Sequence, residues 1–99
     1  MIKIVFYKNA FNISGHANFK EKNDIICAGI SAIVEGSLNW FIKNDIFLEK
    51  QDGLIKLIVT NINDDYIYKL ELLWIQLNAI HHSEYKKHIE IIDKREEVL

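Results

Sequence analysis

The sequence predicts a two-layer α+β domain, β-β-α-β-β-α in order, with an antiparallel four-stranded sheet and two helices on one face. Short β-branched and aromatic segments come in two pairs, and the segments of each pair are joined by a turn. A long, apolar segment of helical periodicity follows each pair. Packing both helices on one face of an antiparallel sheet is the simplest way to bury these elements.

The first pair of strands is predicted at residues 2–7 and 10–16, with Lys8-Asn9 as the turn between them. Apolar residues alternate with polar ones along the second strand, so that one of its faces is polar. His16 falls on that polar face, where the strand ends. The adjacent Gly15 permits a backbone conformation that is closed to other residues.

The first helix is predicted to begin at a cap formed by Asn23 or Asp24 and to end at about Asn44. Its apolar residues cover almost every side, which predicts a helix that is buried all round. Gly29 and Gly36 lie seven positions apart on one face, which suggests that another backbone packs closely there.

The second pair of strands is predicted at residues 45–50 and 54–60, with the Asp-Gly hairpin signature in the turn at residues 51–53. The polar residues 61–65 then cap a helix that is predicted over residues 64–93. The apolar stripe of this helix comprises Tyr66, Leu70, Leu73, Leu77 and Ile80 and resumes at Tyr85, Ile89 and Ile92.

The last helix carries more apolar residues than one sheet can cover. Leu72, Trp74, Ile75 and Ala79 lie off its stripe, which suggests a subunit interface and therefore a homodimer. The charged residues 94–99 are expected to fray.

Bulk properties limit the function classes. The 99 residues make one domain, residues 1–99. The chain has 12 Lys and Arg residues and 14 Asp and Glu residues. The basic residues form no stripe along the sequence, so no direct nucleic-acid contact is expected. The start of the chain lacks a signal-peptide pattern, and no apolar run reaches the length of a membrane span. A single cysteine excludes an internal disulfide. We therefore expect a cytoplasmic protein whose thiol stays reduced. No cofactor is predicted.

Cys27 is the candidate nucleophile. With Asp24 as the cap, it is the third residue of the helix, where unpaired amides and the dipole favour an anion. That stabilisation of the anion is worth about 0.3–1 kcal/mol. Because one pKa unit corresponds to roughly 1.4 kcal/mol, the helix alone would lower the pKa of the thiol by less than one unit, so a base is also needed. His16, eleven positions earlier across a loop, is the nearest candidate in sequence. Ser31, on the same helix face as Cys27, could orient His16 or a water, and Asp24 could cap the helix or orient the histidine.

The residues alone leave simpler explanations open. A lone cysteine is usually a small buried apolar residue, a lone histidine usually lies on the surface, and a helical serine usually bonds a backbone carbonyl. A dimeric, non-catalytic binding module therefore remains an alternative to a cysteine protease. A thiol redox protein would lack a resolving cysteine. An approach of the Cys27 sulfur and a His16 nitrogen within about 4 Å would favour the protease.

His81, His82 and His88 are expected to be solvated, and no metal site is predicted.

A longer motif is more specific than these single residues. Gly15-His16-Ala17, a variable loop, and Asp24-Ile25-Ile26-Cys27-Ala28-Gly29-Ile30-Ser31-Ala32 resemble the signature of the bacterial ribosomal-processing cysteine protease family, Prp. Gly36-Ser37-Leu38-Asn39 also resembles the helix of that family. The resemblance covers essentially the whole chain. The loop after His16 departs from the family pattern because it contains no glycine.

The resemblance implies a homodimeric endopeptidase that removes the N-terminal extension of a large-subunit ribosomal protein, the twenty-seventh of the L series. This substrate is the precursor of a basic protein, with an apolar, aromatic-bearing cleavage segment. Cys27 is the implied nucleophile and His16 the implied base, with Ser31, Asp24 and Gly15 in supporting positions. The loop expected to contact substrate comprises Ala17, Asn18, Phe19, Lys20, Glu21, Lys22 and Asn23.

Overall fold

The computed structural model describes residues 1–15, 25–83 and 85–99. Its strands are β1 (Ile2–Tyr7), β2 (Ala10–Gly15), β3 (Ile46–Gln51), β4 (Leu54–Val59) and β5 (Ile89–Lys94), and its α-helices are α1 (Ile25–Ser37) and α2 (Asp64–His81). Short 3-10 turns lie at Leu38–Trp40, Lys43–Asp45 and Lys86–His88.

The strands form one sheet in the order β3-β4-β2-β1-β5. The pairs β3/β4, β4/β2 and β2/β1 are antiparallel, as predicted, whereas β5 runs parallel to β1. The predicted α+β class is therefore confirmed, with five strands in place of four. The predicted bounds of the first four strands agree with the structure to within one residue over the described part of the chain.

The extra strand lies where the sequence predicted the end of the last helix, so that prediction is wrong beyond His81. The hydroxyl of Ser83 bonds the carbonyl of Ile80 and also accepts the Tyr85 amide, which turns the chain out of the helix. In β5, Ile89 is buried and pairs with Ile2 on β1.

The first helix is also shorter than predicted, because α1 ends at Ser37 and the chain continues in 3-10 turns. The buried Ser37 hydroxyl donates to the carbonyl of Val34 at 2.6 Å, a bond inside the last turn. The helix is not buried all round, since the side chain of Ile25 is 60% exposed. Apart from the chain neighbours and the backbone of α1 itself, no described atom lies within 4 Å of a Cβ built on Gly29 or Gly36, so the expected close approach of another backbone is absent from the described chain.

A single cluster of buried residues joins the sheet to both helices. Ile2, Ile4 and Phe6, which alternate along β1, are all buried. So are the first four members of the α2 stripe, Tyr66, Leu70, Leu73 and Leu77. Trp40 and Trp74 pack against this cluster, and Trp74 meets the ring of Phe6 edge-on at 5.3 Å.

The C-terminal residues do not fray as expected but bond to the β1–β2 turn. The Lys8 amide donates to the Glu97 carbonyl at 2.9 Å. The side-chain amide of Asn9, which is 1% exposed, donates to the carbonyls of Val59 at 3.0 Å and Leu99 at 3.1 Å. Its oxygen accepts the Leu99 amide at 2.8 Å. Buried amide groups need such partners, so Asn9 ties the chain end to the sheet.

The N-terminus of α2 is capped as the sequence predicts. The side chain of Asn63 accepts the Tyr66 amide at 2.9 Å, and Asp64 and Asp65 place negative charge in the first turn. Within the described residues, neither helix is long and apolar enough to cross a membrane.

Candidate functional site

A groove of about 330 Å³ lies between α1 and the adjacent ends of β2, β3 and β4. Apolar side chains form much of its surface, and polar side chains contribute the remainder. The apolar residues include Ile2, Ile13, Ile30, Leu54 and Ile55, and the polar residues are Ser31, Glu35, Lys50, Gln51 and Asp52. Such a surface suits an extended peptide, whose apolar side chains can be buried while its backbone meets polar partners.

The helix side of the groove carries the candidate nucleophile. Cys27 lines the groove as the third residue of α1, which is its predicted position, and its side chain is half-buried. In the first turn of a helix the dipole favours an anion such as a thiolate, and backbone amides that lack intrahelical partners can donate to an oxyanion. Ser31 and Glu35 follow at intervals of four residues, so all three lie on one face of α1 and line the same groove.

Gly15 shapes the end of β2 immediately before His16 in the sequence. Its φ is +87°, in the region that only glycine adopts readily. A Cβ placed on it would lie only 2.4 Å from the carbonyl oxygen of Met1. Its amide donates to the carbonyl of Gly53 in the β3–β4 turn at 2.9 Å. Gly15 therefore adopts a backbone conformation of the kind expected from the sequence, and the nearby Met1 carbonyl leaves no room for a Cβ.

The opposite side of the groove is the β3–β4 hairpin, and an ion pair joins it to α1. Lys50 lies opposite Ile55 in the register, and Ile55 lies opposite Ile13, so Lys50 faces the same side of the sheet as the core. Its ammonium lies 2.7 Å from the carboxylate of Glu35 on α1.

The structure therefore brings three of the predicted site residues, Gly15, Cys27 and Ser31, to one groove. His16, Asp24 and the predicted substrate loop, residues 17–23, lie outside the described residues. The pairing of His16 with Cys27 stays a prediction for that reason.

Sequence reasoning missed the contribution of Glu35, Lys50 and the β3–β4 turn to the groove. The spacing of four residues between Cys27, Ser31 and Glu35 was a usable signal, because it places them on one helix face. The facing hairpin had no such signal, since the groove depends on how β3 pairs with β4.

Of the remaining histidines, His82 is exposed, as predicted, whereas His81 and His88 are less exposed than expected. His81 is half-buried, and its Nδ1 atom is buried without a hydrogen-bond partner among the described residues. Burial lowers the pKa of His81, and the charges of His82 and Lys86 lower it further. No group of three or more potential metal ligands occurs within residues 1–15, 25–83 and 85–99.

Comparison with known proteins places this geometry among proteases. The family model described as cysteine protease Prp matches residues 1–90. A protein of Mycoplasma pneumoniae named ribosomal processing cysteine protease Prp is 32% identical over 100 residues, covering 98% of this chain and 99% of the relative. A protein of the same name from Mycoplasma genitalium is 38% identical over 96 residues, covering 92% of this chain and 94% of the relative.

Two solved structures of an essential ribosomal processing protease Prp from S. aureus have the same fold. One, in complex with a covalently linked product peptide, superposes with a TM-score of 0.82 at 25% identity. The other, in complex with a substrate peptide, gives 0.79 at 26% identity. Both comparisons cover 95% of this chain and 100% of the S. aureus chain. The family resemblance found in the sequence is confirmed.

Proposed function

Since this chain belongs to the Prp family of cysteine proteases, we propose that it removes the N-terminal extension of a large-subunit ribosomal protein, the twenty-seventh of the L series. The observation that carries the proposal is the position of Cys27, in the first turn of α1 and on a largely apolar groove. Similar S. aureus proteins, named as ribosomal processing proteases, hold a substrate peptide and a covalently linked product peptide.

In the proposed mechanism, the Cys27 sulfur attacks the scissile carbonyl carbon while His16 takes the thiol proton. The amides of the first turn of α1 stabilise the resulting oxyanion. His16 then protonates the leaving amine, the peptide bond breaks, and a thioester links the N-terminal fragment to Cys27. A water, deprotonated by His16, hydrolyses the thioester and restores the thiol. Ser31 orients the histidine or the water, and Asp24 caps α1, orients the histidine, or does both.

The chemistry of the groove supports a peptide substrate with an apolar cleavage segment. Its apolar residues can bury such side chains, and burial of one large apolar side chain is worth about 1.5–3 kcal/mol. The formal net charge of −2 favours a basic partner over a nucleic acid. We assign residues 17–23 as the loop that contacts the substrate beside Gly15.

We further propose that the protein is a cytoplasmic, single-domain homodimer that binds neither membrane nor nucleic acid directly. Exposed apolar side chains on α2 support the dimer: Ile75 is 62% exposed, Tyr68 60% and Leu72 38%. Sedimentation equilibrium of the wild type and of Ile75→Asp tests it. The proposal requires a dimer that the substitution weakens, and a wild-type monomer would refute it.

The decisive experiment is incubation of the purified ribosomal-protein precursor with wild type, Cys27→Ala and Cys27→Ser, read by intact mass. We expect a defined N-terminal loss with the wild type alone. Failure of the wild type to cleave, together with tight binding of the same precursor, would instead identify a non-catalytic binding module.

A second experiment tests His16 without any substrate. Cys27 is the single cysteine, so the rate of its alkylation by iodoacetamide reports the thiolate directly. We expect the rate below about pH 7 to fall in His16→Gln, because the thiol loses its cationic partner. An unchanged pH profile would remove His16 from the proposed pair.

A further inference from the structure

The ion pair between Glu35 and Lys50 crosses the groove at a defined distance from Cys27. Cys27 and Glu35 are eight residues apart on one face of α1, which places Glu35 about 12 Å from Cys27 along the helix axis. An extended peptide rises about 3.3 Å per residue. A peptide that follows the groove along α1 from Cys27 would therefore place its third or fourth residue from the scissile bond beside this pair.

The surroundings of this pair have a definite charge balance. Two carboxylates, Glu35 and Asp52, and one ammonium, Lys50, line this groove. The side chains of Glu35 and Lys50 are 41% and 50% exposed, and such exposed pairs add little to the stability of a fold. Their charges nevertheless face whatever occupies the groove, because both residues line it.

We propose that the Glu35–Lys50 ion pair is a specificity determinant. It selects an uncharged substrate residue at the third or fourth position on one side of the scissile bond. This inference rests on the proposed protease function. A substrate lysine there would meet the ammonium of Lys50, and a substrate glutamate would meet Glu35 and Asp52. Either would have to compete with the existing 2.7 Å contact, whereas an uncharged residue leaves that contact intact.

Single substitutions should produce opposite preferences. Lys50→Met leaves the carboxylates of Glu35 and Asp52 without the ammonium, so a substrate lysine becomes the preferred residue. Glu35→Gln leaves the ammonium of Lys50 without its partner at 2.7 Å, so a substrate glutamate is penalised less, and a substrate lysine more, than in the wild type. The combined change Glu35→Lys with Lys50→Glu restores a neutral pair and should restore the preference for an uncharged residue.

The test uses peptides that span the cleavage segment of the precursor, with Ala, Lys or Glu placed in turn at each of four positions on either side of the scissile bond. We expect shifts of about two- to fivefold in kcat/KM, the range for exposed pairs, confined to the third or fourth position on one side. The shifts should shrink at high salt, because the groove is open to solvent.

A matched control is the ion pair between Lys69 and Asp65 on α2, which is 2.8 Å long and contains no residue that lines the groove. Asp65→Asn removes a surface charge in the same way and should leave every peptide preference unchanged. The inference would be overturned if Asp65→Asn shifted kcat/KM as much as the groove variants do, or if the shifts occurred at all substrate positions. It would also be overturned if the charge exchange did not restore the original preference.

The same peptides are also measured by fluorescence anisotropy for binding to proteins that carry Cys27→Ala. A wild type that cleaves no peptide would refute the protease, while the charge preferences of binding would still decide the role of the pair. Binding without the predicted preferences, or no binding of any peptide, would overturn the inference.

Discussion

Replacement of Gly15 by alanine should be the most damaging single-methyl change at the groove. At φ +87° an alanine is strained by about 1–3 kcal/mol. Its Cβ would also lie 2.4 Å from the Met1 carbonyl oxygen, so the start of β1 or the end of β2 must move. We expect the free energy of unfolding to fall by about 2–4 kcal/mol in total. That is a large part of the roughly 5–15 kcal/mol by which a domain of this size is stable.

The assay is urea unfolding followed by tryptophan fluorescence, with Gly29→Ala as the control. Gly29 lies within α1, and a Cβ there has no described atom within 4 Å. Alanine in a helix interior is better than glycine by about 0.5–1 kcal/mol, so this variant should be more stable than the wild type. Replacement of glycine by alanine is therefore expected to lower the free energy of unfolding at position 15 and to raise it at position 29.

Activity gives a second measure of the Gly15 substitution. Because Gly15 precedes His16, we expect kcat/KM to fall about tenfold or more even under conditions where the variant is folded. A Gly15→Ala protein whose unfolding free energy lies within about 1 kcal/mol of the wild type would refute the steric and torsional reasoning.

Two further predictions concern residues away from the groove. Asn9→Ala removes three hydrogen bonds of a buried side chain and should lower the free energy of unfolding by about 2–4 kcal/mol, whereas Asn39→Ala, which removes one exposed bond, should change it by less than about 0.5 kcal/mol. Equal effects in urea unfolding would contradict the role of Asn9. Hydrogen bonds from Tyr66 at 2.6 Å and then from Asn61 lower the pKa of Asp45, so this carboxylate stabilises the fold above its ordinary pKa and ceases to do so as pH falls through the lowered value. Tyr66→Phe should raise the pKa of Asp45 in a carbon-13 NMR titration and make the loss of stability in acid less steep, and an unchanged pKa would contradict this account.

The sequence predicted the local parts of the fold well. Alternation located β1 and β2, the Asp-Gly pair located the β3–β4 turn, and the polar segment before α2 contained its cap, Asn63. Each of these signals depends on residues that are close in the chain. The position of Cys27 in the first turn of α1 followed from the same kind of signal.

The errors share a different cause. Ile89 and Ile92 are three residues apart, which fits a helical stripe, and only the pairing of Ile89 with the distant Ile2 selects the strand. No glycine or proline marks the end of α2, because Ser83 ends it by side-chain hydrogen bonds. The Gly36-Ser37 pair did mark the end of α1, but the apolar residues beyond it obscured that signal.

The parallel pairing of β1 with β5 has a consequence for the order in which the nascent chain folds. Ile2 cannot pair with Ile89 until the chain between them has been synthesised. Contacts of such high sequence separation slow folding, because a long loop must close before they form. The described residues that line the groove all fall between Ile2 and Ile55, so they are synthesised before the edge strand β5. Until β5 has been synthesised, the edge of β1 that pairs with it stays open to other extended segments.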